Sequence, residues 1–264
     1  MKGSSETRLM SPLLYQLSYT ATGRKPKGEE IIPDRRSECL QGCEWSSLGS
    51  QENPWLARSG RIPYTPDMMI LLPATCEAAL LERFLKAEAM ALWSVRAAQA
   101  RDVPEGVLGF LRKHEEDEAE HLKEFEARLG VVSHRRERLP RVPSQWYALV
   151  IHLYGYEALG LEFAKLLVQV QPDLRSILED EEVHVGFFEQ EVRKVLAQGG
   201  VAAAKAKESA ASWWRKLPPT VDRYVDGESL SPYRVELKQA ILTSVGHRFH
   251  TVGLLPERVL LGAI

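Results

Sequence analysis

The chain has 264 residues, 34 Lys+Arg against 36 Asp+Glu, a formal net charge of −2, and 44% hydrophobic and 27% charged residues, which suits a globular protein able to bury a core without disulfides. These figures exclude a collagenous or wholly disordered chain, and near-neutral charge gives no footing for a general nucleic-acid or membrane-surface role. Cys39, Cys43 and Cys76 make no CxxC pair, so neither a disulfide framework nor a zinc ribbon is expected; with no stretch of about 18–20 apolar residues and no secretory pattern, the expected location is the cytoplasm.

Residues 1–67 carry Gly, Ser, Pro and scattered charge without sustained periodicity, and little packed structure is expected there. The run LMSPLLYQLSYTATG resembles a translated antisense strand of a transfer-RNA gene, which would make this leader an artefact of start-site assignment, with the true start at Met68 or Met69; the alternative is an ordinary disordered tail. From Met68 the pattern is helical. Amphipathic segments are expected at about 74–101, 104–129, 144–169 and 173–198, separated by Pro104, by GVVSHRRERLPRVPS and by the turn Gln171-Pro172-Asp173. A fifth helix is expected after Gly199-Gly200, ending before Pro218-Pro219, and a sixth over about 232–252. Trp213 and Trp214 read as packing residues.

Glu88 lies inside the apolar stripe Leu81, Phe84, Leu85, Ala91, Leu92 and Val95, where an unpaired carboxylate would be buried at high cost. The second segment carries Asp117-Glu118-Ala119-Glu120-His121, and the fourth repeats the grammar as Asp180-Glu181-Glu182-Val183-His184. Each Glu-x-x-His pair shares one face with an apolar stripe. A single such pair in a charge-rich helix reads as a solvated face; its recurrence points inward.

The third segment offers Glu157, within the stripe Val150, Leu153, Tyr154, Gly160, Leu161 and Ala164, and a rival in Glu162, whose neighbours Gly155, Lys165 and Gln169 suggest a more solvated face. Periodicity favours Glu157. Counting from Pro172 argues the other way, because Glu157 stands 15 positions back and Glu181 only 9 forward, unless the third helix ends early. His114 shares the face of Glu118 and His121, and reads as a packed or hydrogen-bonded histidine, with an outer-sphere role as the alternative. His247 and His250 read as surface residues. Arg135, Arg136, Arg138 and Arg141 read as a solvated basic loop, with an anionic-substrate or RNA contact as the minority reading.

The order Glu, Glu-x-x-His, Glu, Glu-x-x-His over four successive helices is the arrangement with which a bundle holds two carboxylate-bridged metal ions. On Glu88, Glu118, His121, Glu157, Glu181 and His184, the chain resembles the ferritin-like diiron-carboxylate superfamily over about residues 74–198. The resemblance implies an all-α fold: a ferritin-like four-helix bundle over 68–200 with additional C-terminal helices at 201–264. It also implies two iron ions (manganese being the alternative), and Asp117 and Asp180 hydrogen-bonded across the site to the metal-bound imidazoles. The Glu spacing departs from an even repeat, 30 residues from Glu88 to Glu118 but 24 from Glu157 to Glu181.

Functionally, the resemblance implies an oxygen-activating oxidoreductase of the monooxygenase or hydroxylase type, like the tRNA-modifying or quinone-ring hydroxylases of the superfamily. A small-molecule substrate and an external electron donor go with that reading, a homodimer is compatible with it, and neither membrane nor nucleic acid is expected as a partner. The alternative is a ferritin-like protein that oxidises or handles iron without an organic substrate. The extension at 200–264 and the lack of rubredoxin-type cysteine pairs separate the chain from shell-forming ferritins and from rubrerythrin respectively.

Overall fold

The computed structural model describes residues 70–131 and 141–256, and all secondary structure among them is helical. The readings made on 1–67, on Cys39 and Cys43, and on Arg135, Arg136 and Arg138 lie outside the described residues. The helices are α1 (Glu77–Gln99), α2 (Glu105–Leu129), α3 (Trp146–Val170), α4 (Arg175–Ala197), α5 (Gly200–Tyr224) and α6 (Arg234–Thr251). Among the described residues, no helix is long and apolar enough to cross a membrane.

Local chemistry explains several boundaries. Pro104 precedes the first turn of α2, where its missing N–H is no loss. At the far end Gly130 takes φ 64°, a left-handed stop, and the N–H groups of Gly130 and Val131 return to the carbonyls of Ala127 and Glu126.

Helices α1 and α2 pack as a pair, α3 and α4 as another, and α1 joins the pairs through α3, with only a light contact between α2 and α4. Helices α5 and α6 lie on α3 and on each other, with α5 also reaching α4. Enclosure by α1, α4, α5 and α6 is why α3 reads WYALVIHLYGYEALGLEFAKLLVQV, apolar on nearly every side. Tyr154, Phe84, Phe125, Phe188 and Phe249 are among the largest fully buried side chains, each burial contributing roughly 1.5–3 kcal/mol.

Both tryptophans of α5 serve packing. Trp214 is buried, and Trp213 stacks on Phe249 with ring centroids 5.1 Å apart. Trp213 also lies so close to Gly155 that a Cβ there would stand 2.3 Å from Trp Cε2. Only glycine leaves α3 and α5 that approach.

Two expectations are corrected. Helix α5 does not end before Pro218-Pro219 but continues through both to Tyr224. Proline removes helical N–H donors and ordinarily ends a helix; here Leu217 is buried just before the prolines and Thr220 and Val221 just after them, and Thr220 Oγ1 donates to the Lys216 carbonyl at 2.8 Å. Tertiary burial overrides the local preference.

Nor does α3 end early. From Glu157 to its last residue, Val170, the axis runs about 20 Å. On the other arm the 3₁₀ turn Pro172–Leu174 rises about 2.0 Å per residue, bringing Glu181 to about 15 Å from the turn. The remaining offset is about one helical turn, and Gly160, nearly one turn beyond Glu157, is what faces Glu181: a Cβ there would be 3.1 Å from Glu181 Oε2.

Candidate metal centre

Glu88 on α1, Glu118 and His121 on α2, Glu157 on α3, and Glu181 and His184 on α4 are all buried. The same stripes that bury Phe84, Leu111, Leu153 and Phe188 carry these six groups inward, because each lies three, four or seven positions from its apolar neighbours. The described residues contain two four-residue groups able to hold a metal ion: Glu88, Glu118, His121 and Glu181; and His114, Glu118, Glu157 and His184. In each group the ligand atoms all lie within 4.8 Å of one another, and Glu118 belongs to both.

The imidazoles are oriented by a crossed pair of aspartates. His121 Nε2 on α2 lies 3.1 Å from Asp180 Oδ2 on α4, and His184 Nε2 on α4 lies 3.4 Å from Asp117 Oδ2 on α2. With the outer nitrogens so engaged, the Nδ1 atoms turn inward. His121 Nδ1 is 3.7 Å from Glu88 Oε2, while His184 Nδ1 is 3.6 Å from Glu118 Oε1 and 3.7 Å from Glu157 Oε2. A carboxylate behind an imidazole fixes its orientation and raises its basicity as a ligand. Asp117 is itself held by Lys113.

Glu88 Oε2, Glu118 Oε2 and the Nδ1 atoms of His121 and His184 are buried without a hydrogen-bond partner. Each such atom costs about 1–3 kcal/mol if left so, and all four belong to residues of the two groups that share Glu118. A cation is their common complement. A mixed carboxylate–imidazole donor set of this kind can hold a divalent metal ion.

Burial and neighbouring charge shift these groups in different directions. Burial, then the charge and hydrogen bond of Glu88 and the charges of Glu157 and Glu181, hold the Glu118 carboxyl well above the ordinary range. Burial and the charges of Glu157, Glu88 and Asp180 do the same to Glu181. Burial also acts to raise Glu157, but His114, His184 and His121 carry it below its ordinary value. His121 is desolvated, yet Glu88 and Asp180 raise it to about 9. Burial and the neighbouring His114 push His184 down to about 4.

Glu162 is held elsewhere. Its carboxylate pairs with Lys165 at 2.8 Å and lies 3.9 Å from Arg248 on α6. Its side chain is only 11% exposed, less solvated than its helical neighbours suggested, because α6 covers that face. His114 is the residue that sequence reasoning undervalued. It is fully buried, with Nε2 2.9 Å from Glu118 Oε1 and 3.4 Å from Glu157 Oε2. Its face was legible four residues before Glu118; the approach of α3 was not. His247 and His250 are exposed, and Cys76 is buried, its thiol donating to the Ser229 carbonyl at 3.3 Å.

Comparison with protein-family models, with curated proteins and with solved structures yields no match to this chain.

Proposed function

We propose that the chain is a ferritin-like diiron-carboxylate oxidoreductase, its bundle formed by α1 to α4 and its C-terminal helices α5 and α6 backing α3. The observation that carries this reading is the convergence of buried carboxylates and imidazoles from four helices in two groups that share Glu118, with atoms of Glu88, Glu118, His121 and His184 left without a hydrogen-bond partner. Glu88, His121 and Glu181 would hold one iron ion, Glu157 and His184 the other, and Glu118 both; manganese is the alternative metal. When bound, the metal pair supplies reduction of dioxygen.

The protein's own part is positional and dielectric. Asp117 and Asp180 keep the imidazoles aimed inward. Burial and neighbouring carboxylates favour the protonated form of Glu118 and Glu181, so metal loading, which needs ionised carboxylates, strengthens as pH rises. Phe110 and Phe187 stack with centroids 3.5 Å apart, and Phe110 lies 5.7 Å from the His114 ring and 6.1 Å from that of His184. This apolar cover over the α2–α4 side keeps water from the centre.

Anaerobic purification, loading with ferrous iron and titration with dioxygen followed by absorbance test the proposal. About two ions per chain and an oxidation-dependent absorbance change are expected. Loading that stays well below one ion per chain would defeat it. Bulk uptake of iron beyond two ions, with mineral formation, would favour the iron-handling alternative.

A further inference from the structure

The two helix pairs repeat one pattern, Glu88 matching Glu157, Asp117 matching Asp180, Glu118 matching Glu181, and His121 matching His184. The repeat fails at one inward position. Four residues before Glu118 stands His114, and four residues before Glu181 stands Ile177, both buried. A buried apolar side chain at that position satisfies the packing in the second pair, so packing alone does not call for an imidazole in the first.

We infer that His114 is a third imidazole ligand, directed at the metal position shared by Glu157 and His184, which makes the two metal positions chemically unequal. The inference rests on the metal-centre reading and goes beyond its six ligands. His114 Nε2, Glu118 Oε1, Glu157 Oε2 and His184 Nδ1 stand 2.9 to 3.7 Å apart in the four pairs that the geometry defines: His114–Glu118, His114–Glu157, His184–Glu118 and His184–Glu157. Two ligand atoms each about 2.1 Å from one ion lie about 3.0 Å apart at a right angle and about 3.4 Å apart at the tetrahedral angle. The observed separations are those of donors around a single cation. The His114 ring also packs on its neighbours: its centroid lies 3.9 Å from that of His184 and 5.6 Å from that of Phe188.

The outer nitrogen sets His114 apart from the other two imidazoles. His121 and His184 each have an aspartate there, whereas His114 Nδ1 is buried with no hydrogen-bond partner. An imidazole without a carboxylate behind it is the less basic ligand. His114 is therefore the weakest of the three nitrogen donors, and the Glu157 side becomes nitrogen-rich but holds one exchangeable bond. The Glu88 side has one imidazole and carboxylates only.

The test uses the full-length protein loaded anaerobically with ferrous iron alone, and counts coordinated imidazoles by X-ray absorption at the iron edge. Wild type is expected to show three imidazoles per two ions, and His114→Gln two, with both ions retained. Glutamine keeps a hydrogen-bond donor for Glu118, so a merely positioning role would leave the count unchanged. In His114→Gly, added free imidazole should restore the third nitrogen. Two imidazoles per two ions in wild type, or a count that His114→Gln does not alter, would overturn the assignment while leaving the metal centre standing. Wild type that takes up no iron would overturn the metal-centre reading itself, and His114 ligation with it. Because the first measurement is made on wild type, a variant that fails to fold does not remove the test.

Discussion

Helices α2 and α3 each bring buried carboxylate to the same centre from opposite surroundings. Helix α2 is packed by α1 and lightly by α4, leaves much of its surface to solvent, and reads as a charged helix with one apolar stripe. Helix α3 is enclosed by four helices and reads as almost wholly apolar. A carboxylate on α3 is therefore conspicuous and one on α2 camouflaged, yet both reach the centre. Inward charge is marked by the stripe it interrupts, and not by how charged its helix is.

The sharpest way to break this comparison is to remove the two carboxylates in turn. Glu118 belongs to both ligand groups and Glu157 to one. Glu118→Ala should abolish binding of both ions, Glu157→Ala should weaken one, and Glu162→Ala should leave metal content unchanged, all read by metal analysis after anaerobic loading. Equal losses from Glu118→Ala and Glu157→Ala would remove Glu118 from its shared position.

Next in size is the aspartate cross. Asp180→Asn and Asp117→Asn should each weaken binding by about 10- to 100-fold, measured by competition with a chelator. The larger loss is expected at Asp180, whose contact to its histidine is 3.1 Å against 3.4 Å for Asp117.

Enclosure itself is tested with glycines. Gly155→Ala on α3 would drive a methyl group into Trp213 and should cost about 1–3 kcal/mol. Gly109→Ala on α2 meets nothing within 4 Å and should instead gain about 0.5–1 kcal/mol from helix propensity. Thermal unfolding of the two variants should move in opposite directions.

The smallest effect expected is in pH dependence of the metal-free protein. Glu181 has a raised folded pKa, so its contribution to stability is full below the ordinary carboxylate range and is lost as pH climbs through the raised value. Glu157 has a lowered one, so its contribution is present above that range and is lost as pH falls through the lowered value. At neutral pH, metal-free Glu181→Gln should thus melt above wild type and metal-free Glu157→Gln below it, read by thermal unfolding. The imidazoles around Glu157 are the reason it does not share the relief that removing a repelled carboxylate brings to Glu181.

Much of this was legible in the chain itself. Helical periodicity located α1 to α4 and α6 to within about three residues at each end, since apolar stripes and Pro or Gly punctuation act locally. The same periodicity put Glu88, Glu118, His121, Glu157, Glu181 and His184 on inward faces. What the stripe could not express was distance between helices. Glu157 and Glu162 were separated by the arrival of α6, which sets Arg248 beside Glu162, and the uneven spacing from the turn was absorbed by the 3₁₀ segment and by Gly160 opposite Glu181.

The sequence by itself determined that the segments from about residue 74 on are helices with carboxylates and imidazoles aimed inward, because burial face follows from a 3.6-residue period and needs no knowledge of the partner. Tertiary structure alone decided that α5 runs through Pro218-Pro219, that Gly155 receives Trp213, and that His114 meets Glu157. Each depends on a contact between residues distant in the chain, where packing energy outweighs local preference.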